Sequence, residues 1–197
     1  MVRNVDPNPG TALHVRPFDA ADVALLVSWF TREIEIVLWS GEAFHWPLDA
    51  PQMAKMIEES QGNPPGRTLW AVTTDDGTMV GHFQLVHDDR RRTDRLCRVV
   101  LSPTVRGRGL GAVLVRLAAR TAFNSESAPD RLELYVYDHN AVARAAYRRA
   151  GFVEEGLLRQ NLAVIPGDGN PTRISSMIVM ALLRPEWQAL QPATPRV

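Results

Sequence analysis

The sequence predicts a single mixed α/β (α+β) domain, and three observations carry that prediction. Stretches of strict apolar–polar alternation interleave along the chain with stretches of helical periodicity. No linker or internal repeat divides the 197 residues, a length that suits one core. A glycine-rich turn within "LSPTVRGRGLGAVLV", residues 101–115, joins a strand pattern directly to an apolar helix pattern.

Composition narrows the function classes. Hydrophobic residues make up 45% and charged residues 22%, and the formal net charge is zero, which argues against non-specific nucleic-acid or membrane-surface binding. Lys55 is the single lysine, so arginine supplies nearly all positive charge. A lone cysteine, Cys97, rules out an intramolecular disulfide and a cysteine-based metal cluster. The polar start "MVRNVDPNPGTA" lacks a signal-like apolar core, and no apolar run reaches membrane-span length. The expectation is a soluble, cytoplasmic protein folded over residues 13–189, with flexible tails at 1–12 and 190–197.

"LHVRPF" reads as a strand, followed by "DAADVALLVSWF", where Asp19 caps a helix with Val23, Leu26, Val27 and Phe30 on its apolar face. "PQMAKMIEES" opens on a proline and reads as a second helix. "TLWAVTT" and "TMVGHFQLVH" flank the turn "DDG" as a hairpin, and "RLCRVVLS" is a further strand. The helix after the glycines places Leu110, Val113, Leu114, Leu117, Ala118 and Thr121 on one side. "RLELYVY" alternates Leu132, Leu134 and Val136 against Glu133, Tyr135 and Tyr137. Asn140 then caps "AVARAAYRRA", which Gly151 ends with Phe152 packing beyond it. "FVEEGLLR" and "ISSMIVMALL" are strands separated by the loop "NLAVIPGDGNPT".

The glycine turn is built for an anion. A helix start offers unpaired N–H groups and partial positive charge, and glycines let a ligand approach the backbone closely. Arg106 and Arg108 add permanent charge. The expected ligand is a phosphate or pyrophosphate, and the alternative is a plain glycine-rich strand-to-helix turn. A P-loop is excluded, because Ala112 and Val113 stand where Lys and Ser/Thr are needed. Gly107, Gly109 and Ala112 do match G-x-G-x-x-A, with Asp138 ending the next strand. However, Pro103 to Arg106 separate those glycines from the strand, and too little sequence follows for a second nucleotide half.

A second motif narrows the choice. Arg106, Gly109 and Gly111 fit [RQ]-x-x-G-x-[GA], and Asn140, Ala143, Tyr147, Gly151 and Phe152 fit N-x-x-A-x-x-x-Y-x-x-x-G-F. Together they resemble the GNAT acyltransferase superfamily, and the order of elements is similar from the first strand to the last. The region around Trp39, "W-S-G-x-x-F…P-L", is similar to branches related to ribosomal-protein N-terminal acetyltransferases.

The resemblance implies a twisted, mostly antiparallel sheet flanked by helices, with one splayed parallel strand pair. It implies that acetyl-CoA lies in the splay, its pantetheine arm on the backbone of Val99, Val100 and Leu101. The pyrophosphate would rest on the amides of Arg106, Gly107, Arg108, Gly109, Leu110, Gly111 and Ala112. Asn140 is implied as a ligand of the arm and also reads as a plain helix cap. Arg144 and Arg148 read equally as phosphate ligands or as a solvated face. An amine would attack the thioester directly, the oxyanion would be held by a backbone N–H near Leu101, and the Tyr147 hydroxyl would protonate the leaving thiolate. No metal is implied, and a homodimer fits the family pattern.

No acid stands on "RLCRVVLS", so the general base is open, with His82, His87, Glu133 and Asp138 as candidates. The missing acid favours an α-amino or small-molecule amine, whose pKa near 8 already leaves some neutral form. Cys97 reads as a buried strand cysteine rather than a nucleophile. The segment "IVLWSGEAFHWPLD" reads either as a loop capping the core or as an acceptor wall, with aromatic Trp39, Phe44 and Trp46 beside Glu42, His45 and Asp49. An enzyme is favoured over a silent acyl-CoA-binding module, because Tyr147 and the loop glycines are all present.

Overall fold

The computed structural model describes residues 12–160 apart from 42 and 63, the backbone of 164–167 and 170–174, and residues 175–191. The expected tails fall largely outside the described residues. Strand β1 (His14–Pro17) leads through a short 3-10 turn into α1 (Val23–Val27), α2 (Glu33–Ser40) and α3 (Ala50–Glu59). Strands β2 (Arg67–Thr73), β3 (Met79–Asp88) and β4 (Thr93–Leu101) follow, then α4 (Leu110–Phe123), β5 (Arg131–Tyr137) and α5 (Ala141–Arg149). The chain continues through β6 (Val153–Leu158), β7 (Val164–Gly167), β8 (Asn170–Ile174), β9 (Met177–Leu183) and α6 (Arg184–Ala189). The main sheet has the order β1-β2-β3-β4-β5-β9-β6, and β7 pairs with β8 apart from it. Every pairing is antiparallel except β4 with β5. This is the mixed, mostly antiparallel sheet with one parallel pair that the resemblance implies.

Both faces of the sheet are covered, which gives two cores. Against α4, α5 and α6, one core gathers Phe83, Leu85, Leu96, Leu114, Leu132, Leu134, Met180 and Trp187. Against α1, α2 and α3, the other gathers Leu26, Trp29, Ile36, Trp39, Met53, Met56 and Leu69. The expected caps at Asp19 and Asn140 form, and Asp49 caps α3 in addition. Asp19 accepts from the Ala21 N–H at 2.8 Å, Asp49 from the Gln52 N–H at 3.0 Å, and Asn140 from the Ala143 N–H at 3.1 Å. Gly151 ends α5 at φ +107°, a conformation that suits glycine.

Four features differ from the sequence expectation. Helix α2 occupies part of the segment read as a loop, although Ile-Glu-Ile-Val favours strand locally. Burial of Ile36 and Trp39 overrides that preference, and the Glu35 carboxylate takes the Thr31 and Arg32 N–H groups at the helix start. The loop "NLAVIPGDGNPT" contains the β7–β8 pair, and α6 follows β9 directly. In α4 the buried stripe also takes in Val115, Ala119 and Ala122, because the helix is packed by the sheet on one side and α5 on another. Among the described residues no helix is long and apolar enough to cross a membrane.

Gly81, in β3, lies directly under α4. A Cβ there would stand 2.6 Å from Leu114 Cδ1 and 3.3 Å from Val72 Cβ, and Leu114 is fully buried. Gly81→Ala should therefore destabilise the fold by roughly 1–3 kcal/mol, the usual range for an overpacked core. Urea denaturation checks this, and an unchanged midpoint would show that α4 lifts freely.

Candidate active site

The site begins with a strand that leaves its neighbour. Strands β4 and β5 pair only at Thr93↔Arg131, Asp94↔Leu132 and Arg95↔Glu133. A bulge in β4 accompanies the departure. Gln84 of β3 faces Cys97 and His82 faces Val100, so Arg98 and Val99 together oppose Phe83 alone. Arg98 takes φ +50°, and its carbonyl accepts from the Trp39 indole N–H at 2.8 Å. A bulge bends its strand and sharpens the local twist. Beyond Arg95 the β5-facing edge of β4 is left without a strand partner.

Two connected hollows occupy the opening. One, of about 370 Å³, runs from Val99, Val100 and Leu101 past Arg106 and Gly111. The other, of about 400 Å³, runs the opposite way past Cys97, Arg98, Tyr135 and Met177. Leu38 and Trp39 from α2, Val99 from β4, and Asn140, Ala143 and Tyr147 border both. The splay thus forms a channel through the sheet, with Trp39 on one wall and Tyr147 on the other.

At the first mouth, the Ser102 hydroxyl caps a 3-10 turn, Pro103–Val105, and the Arg106 Nε donates to the Leu101 carbonyl at 3.0 Å. Gly107 and Gly109 both stand at φ +78°, and Gly109 is the N-cap of α4 with no side-chain cap. The first amides of α4 are therefore offered outward. A Cβ on Gly107 or Gly109 would meet nothing within 4 Å, so the space before these amides is open to a ligand. Gly111 has a different task. A Cβ there would stand 3.3 Å from Ala146 Cβ, so its smallness lets α4 and α5 cross closely.

Helix α5 aligns Asn140 and Tyr147 on the channel. Tyr147 is half-buried and its ring packs against Phe152 with centroids 6.1 Å apart. Burial, with Cys97 close by, pushes its phenol well above the ordinary range. Burial likewise raises the Cys97 thiol. Arg144 and Arg148 are committed elsewhere: both bind the Glu154 carboxylate, and Arg144 also donates to the Asp138 carbonyl. Their reading as phosphate ligands gives way to this ion-pair cluster.

The four candidate bases are not in the channel lining. His82 is fully buried, its ring edge-on to Phe18 and near Trp39. Burial, then the neighbouring Arg98 charge, drops its pKa to about 3. His87 points to the other face of the sheet, bound to Asp94 at 2.9 Å and Thr68 at 3.0 Å. Glu133 is held by Arg131 and by the Tyr135 hydroxyl, and Asp138 by His139. Of the expected acceptor wall, Trp39 lines the channel and stacks on Phe44 at 5.5 Å. Phe44 lies under Arg98 but, like the 40% exposed Trp46, borders neither hollow, and Glu42 lies outside the described residues.

Sequence reading missed Glu35, Leu38, Arg67, Arg95 and Arg98, all of which border the channel. Glu35 is anchored by the Thr31 and Arg32 N–H groups. Burial acts to raise its pKa, but those N–H groups, with the Arg32 guanidinium, hold it below the ordinary carboxylate range. The arginines could have been noticed only as charged positions on the inward face of predicted strands.

The family model described as "Acetyltransferase (GNAT) family" matches residues 32–152. The chain belongs to that family. It is an acetyl-CoA-dependent N-acetyltransferase. The fold agrees with solved structures of low sequence identity. A spermidine N-acetyltransferase from Vibrio cholerae, solved with CoA and spermine, is 18% identical with a TM-score of 0.75, covering 89% of this chain and 98% of its own. A dodecameric form of a Vibrio cholerae spermidine N-acetyltransferase is 17% identical with a TM-score of 0.68, covering 92% and 98%.

The buried, neutral His82 of this GNAT protein has a pH consequence. Below pH 6.5 an unfolded histidine takes up a proton that the native ring refuses until about pH 3. The unfolded state then binds more protons, so stability falls as pH drops through this window, by about 1.4 kcal/mol per pH unit from this one group. His82→Asn should flatten that part of the stability–pH curve. Equal slopes for the two proteins between pH 6 and pH 4 would show that the ring is not held neutral.

Proposed function

We propose that the channel moves an acetyl group from acetyl-CoA directly to a primary amine, on a small molecule or a peptide N-terminus, with Tyr147 as general acid. The carrying observation is that Tyr147 borders both hollows, at the point where a donor from one mouth would meet an acceptor from the other. In this reading the exposed edge of Val99, Val100 and Leu101 pairs with the amide-bearing arm of CoA. The pyrophosphate lies on the amides of residues 106–112, and Asn140 both caps α5 and faces the arm. Trp39 and Phe44 belong to the acceptor side, and Trp46 is dropped from it. The spermine of the Vibrio cholerae enzyme is not carried over. A homo-oligomer fits this reading, and its order is left open.

The amine nitrogen attacks the thioester carbon, the C–S bond breaks, and the sulfur receives the Tyr147 proton. The ammonium proton passes to water, and an α-amine with a pKa near 8 already supplies about a tenth of itself as the neutral nucleophile at pH 7. In water, a phenol near 10 would protonate a thiolate near 8.5 uphill, by about 2 kcal/mol. Inside the channel burial raises both groups, as it raises Cys97, so a desolvated thiolate becomes a stronger base as well. The hydroxyl therefore hydrogen-bonds to the sulfur as its charge develops and passes its proton on, and the tyrosinate regains a proton from the water that received the ammonium's. Cys97 is kept a thiol by burial, which favours direct transfer over an acetyl-cysteine intermediate.

Tyr147→Phe keeps the ring on Phe152 and removes only the hydroxyl. The acetyl-transfer rate should fall roughly 10–10³-fold with acetyl-CoA affinity close to normal. Single-turnover kinetics with thiol detection decide this, and a wild-type rate would reduce Tyr147 to a packing residue. Cys97→Ala should retain turnover, and loss of activity in a folded variant would reopen the covalent route. Gly109→Val meets a positive φ that costs a β-branched residue about 1–2 kcal/mol, and it also fills the anion's approach. CoA affinity should drop by roughly tenfold or more, the worth of a charge-assisted hydrogen bond or two. Calorimetric titration that finds wild-type affinity in the folded variant would take the loop out of the CoA site. A wild-type protein that binds acetyl-CoA yet releases no thiol with any amine would favour a silent binding module.

A further inference from the structure

The acceptor mouth of the channel carries an unbalanced charge. Arg67 on β2, Arg95 on β4 and Arg98 at the bulge line it, and no Asp or Glu does. Register explains the grouping. Arg67 and Arg95 both pair with Val86 of β3, from opposite sides, so their side chains share one face of the sheet, and Arg98 joins Arg67 at the Gln84 amide oxygen. Arg95 lies six residues of strand before Leu101, roughly 20 Å along β4, which sets the rim of this mouth apart from the glycine turn.

Arg67 and Arg98 converge on one neutral atom. The Nη1 of each donates to Gln84 Oε1 at 3.0 Å, which places the two nitrogens no more than about 6 Å apart, twice that bond length. Gln84 is fully buried, and its amide nitrogen contacts Met56 Sδ at 2.8 Å and His82 Nε2 at 3.1 Å, so its oxygen is aimed at the arginines. Arg98 also lies over the Phe44 ring at 4.5 Å, and Arg95 over Tyr135 at 5.6 Å. Among the described residues no carboxylate comes within 4.0 Å of Arg67, Arg95 or Arg98. Glu59 acts on Arg98 only at longer range, and Glu133, the register partner of Arg95, is held by Arg131. Burial and the Arg67 charge together lower the Arg98 pKa to about 10, as expected of a guanidinium without a counter-ion.

We infer that the acceptor is an amine that also carries an anionic group, a carboxylate or a phosphate, bound by Arg67 and Arg98 with Arg95 at the rim. This rests on the proposed acetyl transfer to an amine and adds the class of acceptor. Guanidinium forks match planar oxyanions, and a carboxylate here would turn a mutual repulsion into two charge-assisted pairs. A polycation would meet the same arginines as a barrier. The aromatic rings of Trp39 and Tyr135 offer the remainder of such a molecule an apolar surface.

Matched pairs that differ only by the acid group test this: phenylalanine against phenethylamine and phosphoethanolamine against ethanolamine, with spermidine as the polycation. The acid-bearing member of at least one pair should show a kcat/KM higher by roughly 10–100-fold, mainly through KM, with spermidine the poorest acceptor. Arg67→Gln should shrink that ratio by about tenfold, Arg67→Lys should restore part of it, and Arg95→Gln at the exposed rim should shrink it less. A preference for the acid-free amines or for spermidine overturns the inference, as does an equal fall of both members in Arg67→Gln. Binding of N-acetylphenylalanine against N-acetylphenethylamine, measured by calorimetry in the presence of CoA, needs no turnover. Tighter binding of the carboxylate supports the arginine site even if no amine is acetylated, a result that would sink the transfer reading alone. Equal binding overturns the arginine site even if acetylation occurs.

Discussion

The structure depends on one displaced hydrogen-bonding register, the bulge at Arg98 in β4. Two residues there stand against one on β3, and the strand bends away from β5 after only a few paired positions. An open sheet edge inside a folded domain is unfavourable unless something satisfies it. Here the Arg98 carbonyl is met by the Trp39 indole, and the remaining edge faces the channel. Without the bulge β4 and β5 would zip together, and neither mouth of the channel would exist.

The rest of the fold holds that opening in place. The two cores clamp the sheet from both faces, so β4 and β5 cannot close by sliding. Helix α2 is fastened across the gap, with Trp39 on the β4 bulge and the Val37 carbonyl accepting from the Tyr137 hydroxyl at the end of β5 at 3.3 Å. On the opposite side Gly111 lets α5 approach α4, which brings Asn140 and Tyr147 to the channel wall. Preorganisation of this kind is what transfer chemistry requires, because the reacting groups must meet without further rearrangement.

Charge is distributed with equal economy. Arg144, Arg148 and Glu154 neutralise one another on the surface of α5, as do Arg131, Glu133 and Glu155 across β5 and β6. Arg16 and Asp22 form a bidentate pair near the start of the chain. Against that background of local pairing, the arginines lining the second hollow are exceptional. Arg67 and Arg98 meet a neutral amide oxygen, Arg95 and Arg98 lie over aromatic rings, and among the described residues none of the three forms a close ion pair with an acid.

Sequence alone determined what is local. The glycine turn, the caps at Asp49 and Asn140, the end of α5 at Gly151 and the Asn140–Tyr147 spacing all lie within one or two turns of chain, where backbone preference and helical period fix geometry. The alternation in "RLELYVY" likewise assigned the faces of β5 correctly, because Leu132, Leu134 and Val136 are buried in one core. Tertiary structure decided the rest. Helix α2 exists because Ile36 and Trp39 are buried, against the strand preference of its sequence. His82 became a core residue, Arg144 was drawn to Glu154, and Trp46 was left at the surface, all through contacts with residues distant in the chain. The acceptor mouth was least legible of all. Its arginines come from β2 and β4, and which face each presents depends on a pairing register that a single extra residue reverses. A charged residue on a strand reads as solvent-facing until the fold shows where that strand parts from its neighbour.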